Sequence, residues 1–103
     1  MLVLRNAREF KVVYERGAKR VSRSFVVFVL SNGLAESRFG LTTPRKLGKA
    51  HDRNRIRRRI REILRTAELP RGFDWVINPK HAALQGQFAE LKTELLTLIG
   101  AAR

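Results

Sequence analysis

The chain has 103 residues, enough for one hydrophobic core and too few for a separate substrate domain. Twenty-two Lys and Arg against nine Asp and Glu leave a formal charge of +13, and 44% apolar residues exclude wholesale disorder, so one folded domain over residues 1–103 that attracts polyanions is expected. The absence of Cys excludes disulfides and thiolate metal sites.

Asn6-Ala7-Arg8-Glu9 has the spacing of a capping box and predicts a short helix over residues 7–16. Ala7, Phe10, Val13 and Tyr14 recur at three- and four-residue intervals and share one face, and Gly17 is a natural stop. Residues 20–30, rich in Val and Phe, read as a strand with Phe25, Val27 and Val29 on one face and Val26, Phe28 and Leu30 on the other. Both faces are apolar, so both should be covered or used. Ser31-Asn32-Gly33 offers turn chemistry before a second strand over residues 37–42, read as the antiparallel partner of the first.

Pro44-Arg45-Lys46-Leu47-Gly48-Lys49 combines a helix breaker, a flexible Gly and three cations, which suits a loop near phosphate. A second helix should start near Asp52, with its carboxylate as the cap. Ile56, Ile60, Ile63, Leu64 and Ala67 form its core stripe, and Asn54, Arg55, Arg58, Arg61, Glu62 and Arg65 lie opposite. Leu69-Pro70-Arg71-Gly72 ends it, and Phe73-Asp74-Trp75-Val76-Ile77 reads as a strand closed by Asn78-Pro79. A last helix over residues 86–99 places Phe88, Leu91, Leu95, Leu98 and Ile99 on one face. The pattern is one α+β domain in the order helix, strands, helix, strand, helix.

The most specific feature is the second helix. From Arg53 to Arg61 it holds six arginines and no acid. A solvated, solubilising face normally mixes signs, whereas this one repels itself until a polyanion relieves it. Guanidinium bonds phosphate through a planar fork, and Asn54 adds donors and acceptors for a sugar hydroxyl or base edge. Glu62 is placed to restrain Arg58 or Arg65. Phosphodiester chemistry by the protein itself would need clustered carboxylates or an acid–base pair. The acids are scattered singly, His51 and Asp52 project in different directions on a helix, and His81 belongs to an exposed loop, so no catalytic residue is expected. No apolar run approaches the roughly 18 residues that span a bilayer, and the N-terminus lacks a signal-peptide h-region, so a cytoplasmic location without a membrane partner is expected.

Arg53-Asn54-Arg55, with Gly48-Lys49-Ala50 before it and Arg57-Arg58 and Arg61-Glu62 after it, resembles the signature of bacterial ribonuclease P proteins. Glu9-Phe10-Lys11-Val12-Val13-Tyr14, Ser24-Phe25-Val26-Val27-Phe28, Gly72-Phe73-Asp74-Trp75-Val76-Ile77 and Phe88-Ala89-Glu90-Leu91 are similar to other segments of that family. The resemblance implies a helix-strand-strand-strand-helix-strand-helix sandwich on one mixed sheet, with a left-handed crossover between parallel strands, an exception to the usual hand. It also implies an endoribonuclease subunit that assists a catalytic RNA. Together they remove the 5′ leader of precursor tRNA and leave a 5′-phosphate, with Mg²⁺ bound chiefly by RNA and the protein monomeric outside the holoenzyme.

On that resemblance, Arg45, Lys46, Lys49, Arg53, Asn54, Arg55, Arg57, Arg58, Arg61 and Arg65 face the ribonuclease P RNA, and Phe10, Tyr14 and Phe28 line a cleft for the leader. Aromatic faces stack on unpaired bases without reading sequence. Three departures from the family are visible. The segment before the first helix is short, so a basic contact of longer relatives is expected to be missing. His51-Asp52 replaces a small or apolar residue and a variable one, and Asn78-Pro79 stands at a position that is often basic. The rival readings are a ribosomal-type or RNA-chaperone protein, and a DNA-binding protein, for which no dimer seam or helix-turn-helix pair is visible.

Overall fold

The computed structural model describes residues 2–100; Met1 and residues 101–103 of the expected domain lie outside the described residues. The elements are β1 (Leu2–Val3), α1 (Ala7–Arg16), β2 (Ala18–Val21), β3 (Phe25–Ser31), β4 (Arg38–Leu41), α2 (Ala50–Arg65), β5 (Phe73–Pro79) and α3 (Phe88–Ile99), with 3₁₀ turns at Arg45–Leu47 and His81–Leu84. Five strands form one mixed sheet in the order β1-β4-β5-β3-β2.

The expected antiparallel pairing of residues 20–30 with residues 37–42 is not present, because β5 lies between β3 and β4. It runs antiparallel to β3, with Val27 opposite Ile77, and parallel to β4, with Phe39 opposite Trp75. The connection from β4 through α2 to β5 is therefore a crossover between adjacent parallel strands. Local turn chemistry at Ser31-Asn32-Gly33 could not reveal this, since a strand more than 30 residues downstream supplies the partner. Residues 20–30 are also two strands and not one. The Ser22 N–H donates to the Phe25 carbonyl at 2.9 Å to close a β2–β3 hairpin. Its Ser22 hydroxyl and Ser24 N–H both donate to the Glu94 carboxylate of α3.

The period-two alternation in β3 is observed. Phe25, Val27 and Val29 pack with Phe39, Trp75 and Ile77 against Ile56, Ile60, Ile63 and Leu64 of α2 and Leu91, Leu95 and Ile99 of α3. On the opposite face Leu4, Val13 and Val76 form a smaller cluster with Phe10, Phe28 and Leu30. The predicted stripe of α2 is right except for Ala67, which lies beyond the helix end. In α3 the helix starts at Phe88 and not at residue 86, and Phe88 is 37% exposed at its first turn and not part of the core.

The capping box of α1 is formed as read: Asn6 Oδ1 accepts from the Glu9 N–H at 3.0 Å, and Glu9 accepts from the Asn6 N–H. Such a cap is worth about 1 kcal/mol. Gly17 does end the helix, but in an extended conformation. It is there because a Cβ would sit 2.8 Å from the Val29 carbonyl oxygen, where α1 meets the sheet. The start of α2 differs from expectation. Lys49 is its N-cap without a side-chain bond, and Asp52 lies inside the first turn. There it complements the positive end of the helix instead of capping it.

One ion network ties α1 to the sheet. Arg38 on β4 donates through Nε and Nη2 to both oxygens of Asp74 on β5, at 2.9 and 2.6 Å, and through Nη1 to Glu9 at 2.9 Å. Asn32, in the β3–β4 loop, donates to the same Asp74 at 2.9 Å. Burial alone would raise the Asp74 pKa, but the donors from Arg38 and Asn32 outweigh it and hold it below the ordinary carboxylate value. Glu9 is likewise lowered, chiefly by the Arg5 backbone N–H.

Asp74 is only 6% exposed, so Arg38→Met should leave a buried carboxylate unpaired and cost about 3 kcal/mol in urea unfolding. The acid limb should change too. A carboxyl lowered in the folded state contributes stability above its unfolded pKa that is lost as pH falls through the folded one. Stability of the parent chain should therefore drop on the acid side of the ordinary carboxylate range, and the drop should be shallower in R38M.

Candidate nucleic-acid interface

Two surfaces carry the predicted residues. The first is an open groove between α1 and the sheet, about 510 Å³, lined by Arg5, Asn6, Ala7, Phe10, Lys11, Tyr14 and Thr42. Its geometry follows from the one-turn spacing of Phe10 and Tyr14. The Phe10 ring lies on Gly40 of β4, so close that a Cβ there would be 2.5 Å from Cζ of the ring. Tyr14 stands edge-on to Phe28, with ring centroids 4.9 Å apart and planes at 81°. The Tyr14 hydroxyl donates to Asn78 Oδ1 at 2.9 Å, and the Thr42 hydroxyl donates to the same oxygen.

Of the three aromatics predicted for a cleft, Phe10 and Tyr14 line this groove, and Phe28 lies beside it against the edge of Tyr14. Tyr14 is 38% exposed, whereas Phe10 and Phe28 are half-buried and also support the smaller core cluster. Exposed ring surface beside cations suits unpaired bases, because the ring stacks while the cation attends to phosphate. Arg5, Lys11 and Lys19 were not among the expected site residues. Lys19 on β2 places its Nζ 6.0 Å from the Phe28 centroid, within cation–π range. Lys11 could have been found from its place between Phe10 and Tyr14, but Lys19 is visible only once the β2–β3 hairpin is known. Asn78, noted in the sequence for replacing a basic residue, orients Tyr14 from inside β5.

The second surface is α2 with the preceding loop, and its arginines divide into two groups. Arg53 donates through Nε to the Gly48 carbonyl at 3.2 Å, Arg55 to the Leu84 carbonyl at 2.8 Å and Arg59 to the Gly86 carbonyl at 3.0 Å. Arg57 bridges the Thr43 hydroxyl and the Asn54 side-chain oxygen, which turns the Asn54 amide nitrogen outward for a further partner. These side chains are half-buried and hold the helix to its neighbouring loops. Arg59, outside the expected set, is one of these braces.

The other group faces solvent. Among the described residues Arg58 and Arg61 have no hydrogen bond or ion pair within the protein, and both are exposed, as are Arg45, Lys46 and Lys49. Glu62 restrains Arg65, at 2.5 Å, and not Arg58. Each bracing guanidinium still has unused N–H groups, since it offers five. The surface is therefore a fixed row of forks with free cations between them, a match to a phosphate backbone. His81 is exposed, with Nδ1 3.3 Å from the Leu47 carbonyl. No helix among the described residues is long and apolar enough to cross a membrane.

Comparison with known proteins gives a consistent result. The family model described as Ribonuclease P matches residues 2–103. The ribonuclease P protein component of Finegoldia magna is 39% identical over 95 residues, covering 90% of this chain and 83% of that one. That of Thermotoga petrophila is 40% identical over 79 residues, 75% of this chain and 68% of that one. Among solved structures, the ribonuclease P protein of Thermotoga maritima superposes with a TM-score of 0.88 at 33% identity, covering 96% of both chains. A Staphylococcus aureus ribonuclease P protein mutant with defective mRNA degradation activity gives a TM-score of 0.88 at 25% identity over 94% of this chain and 84% of that one.

The contact of Phe10 with Gly40 makes a structural test of the groove. Gly40→Ala should push the ring outward and cost about 1–3 kcal/mol in denaturant unfolding. Phe10→Leu in the same chain should recover part of that cost. Additive costs in the double variant would show that the ring does not rest on Gly40.

Proposed function

Because the chain belongs to the ribonuclease P protein family, we propose that it binds two RNAs at once, the catalytic RNA along α2 and the 5′ leader of precursor tRNA in the groove between α1 and the sheet. It is a protein component of an RNA-processing enzyme and associates with its RNA subunit. The observation that carries the finer reading is the pairing of an aromatic groove with a helix on which exposed Arg58 and Arg61 have no acidic partner among the described residues.

The division of labour follows from the chemistry of the two surfaces. Phe10, Tyr14 and Phe28 present ring faces and edges to unpaired bases and read no base edge, so they suit leaders of varied sequence. Arg45, Lys46, Lys49, Arg53, Asn54, Arg55, Arg57, Arg58, Arg61 and Arg65 supply forks and point charges to a folded RNA, whose shape and phosphates are the recognised features. The cleavage itself is assigned to the RNA, with Mg²⁺ to activate the water and stabilise charge at phosphorus. A metal site on the protein fits poorly. Glu9 and Asp74 bind Arg38, Glu62 binds Arg65, and Glu94 accepts from Ser22 and Ser24. What the protein adds is positive charge that lowers repulsion between RNA strands, and a grip on the leader that separates precursor from mature product. We place it in the cytoplasm as a single domain, monomeric outside the holoenzyme.

Reconstitution with the cognate catalytic RNA tests the reading: precursor cleavage at low Mg²⁺ should rise over that of the RNA alone, and no gain would refute it. Phe28→Ala should weaken holoenzyme binding of precursor tRNA about tenfold and leave mature tRNA binding nearly unchanged; equal loss for both would move the leader elsewhere. Arg58→Ala should lower the salt slope of catalytic RNA binding by about one. An unchanged slope would leave Arg58 as a solvated side chain.

A further inference from the structure

A second cavity wraps round the free edge of β4. Phe10, Leu4 and Gly40 line it on the α1 side of the sheet, and Leu41, Ile60 and Leu64 on the α2 side, with Val3 and Arg61 at its rim. It measures about 250 Å³. An apolar protein cavity of ~150 Å³ holds a benzene ring, so there is room here for one planar heterocycle.

Three features separate it from a packing defect. First, β1 pairs with β4 only at Arg38 and Phe39, and the Leu4 N–H donates to the Phe39 carbonyl at 2.9 Å. The Thr42 N–H turns the other way, to Ile77 of β5, at 3.2 Å. By alternation the N–H and C=O of Leu41 point to the side of β4 that β1 has already left, and they have no strand partner. An adjacent donor and acceptor inside an apolar cavity is the complement of a nucleobase edge. Second, Arg61 is exposed and has no partner among the described residues, so its guanidinium is available for the phosphate of the same nucleotide. Third, Phe10 lines both this cavity and the open groove, so its ring stands between the two.

We propose that this cavity receives one unstacked nucleotide of bound RNA, its base against Phe10 and Leu64 with its polar edge on the Leu41 backbone, and its phosphate on Arg61. The inference rests on the reading that α2 binds RNA, and adds a base-reading pocket to surfaces that otherwise meet phosphates and ring faces. The nucleotide comes from the catalytic RNA on α2 or from the leader that passes Phe10; its chemistry is the same in either case.

The isotope-labelled full chain, titrated with adenosine 5′-monophosphate, uridine 5′-monophosphate and ribose 5-phosphate, tests the pocket by NMR. At least one nucleotide should shift the Leu41 amide and the Leu64 and Ile60 methyl signals, while ribose 5-phosphate should shift only signals around Arg61. Equal shifts from ribose 5-phosphate, or none at Leu41 from either nucleotide, overturn the proposal. Val3 is 45% exposed at the mouth, so Val3→Trp should plug the cavity and abolish the Leu41 response; a response that survives a correctly folded V3W also overturns it.

In the holoenzyme, V3W should weaken binding by roughly tenfold, the order of one base stack. Loss of affinity for the catalytic RNA identifies that RNA as the source, and loss confined to precursor tRNA identifies the leader. No loss in either overturns the proposal. Arg58→Ala, outside the cavity, keeps the two readings apart: an unchanged salt slope there counts against RNA on α2, whatever the nucleotides do at Leu41.

Discussion

Strand β5 is paired along both edges and buried through most of its length on both faces, and the positions of all other elements follow from it. Its odd-numbered residues, Trp75 and Ile77, anchor the core beneath α2 and α3. Its even-numbered residues, Asp74, Val76 and Asn78, support the groove face. One strand therefore sets the depth of the arginine helix on one side and the orientation of Tyr14 on the other. Asp74 and Asn78 are the polar members of that strand, and both are hydrogen-bonded: the first holds Arg38 and Asn32, the second accepts from Tyr14 and Thr42. Polar groups so deep in a sheet persist only when hydrogen-bonded, which is why they sit where α1 is attached.

The scarcity of acids gives the surface its character. With nine carboxylates against 22 cations, most positive side chains cannot be neutralised within the chain. Those acids that make contacts are placed for structure: Glu9 and Asp74 orient α1 through Arg38, Glu94 holds the β2–β3 hairpin to α3, and Asp52 sits 3.7 Å from Arg55 at the start of α2. What remains is a positive surface on a firmly held frame.

Much of this was legible in the sequence where it depends on near neighbours. The capping box, the extent of α1, the apolar stripe of α2 and the alternation in β3 all follow from spacing along one element. The aromatic groove was half legible, since Phe10 and Tyr14 share a helix face by period alone, while their meeting with Phe28 needs the sheet. The pairing of β3 with β5, the two-residue β1 and the hairpin at Ser22–Ser24 were hidden. Each depends on a partner distant in the chain: Ile77 for Val27, Phe39 for Val3, Glu94 for Ser22. The division of the arginines was hidden for the same reason, because Leu84 and Gly86, which receive Arg55 and Arg59, lie beyond the next strand.

That division has a consequence for the rate and cost of association. A long cationic side chain in solution samples many rotamers, and fixing each one on a ligand forfeits roughly 2 kcal/mol of side-chain entropy. Arg53, Arg55, Arg57 and Arg59 are already confined by their bonds to Gly48, Leu84, Thr43, Asn54 and Gly86, so most of that freedom is surrendered when the chain folds and not when a ligand arrives. The helix behaves as a rigid stamp with a few flexible bristles, Arg58 and Arg61 among them. On the proposed reading of α2, the stamp would set which shape of RNA fits, and the bristles would adjust to its local detail.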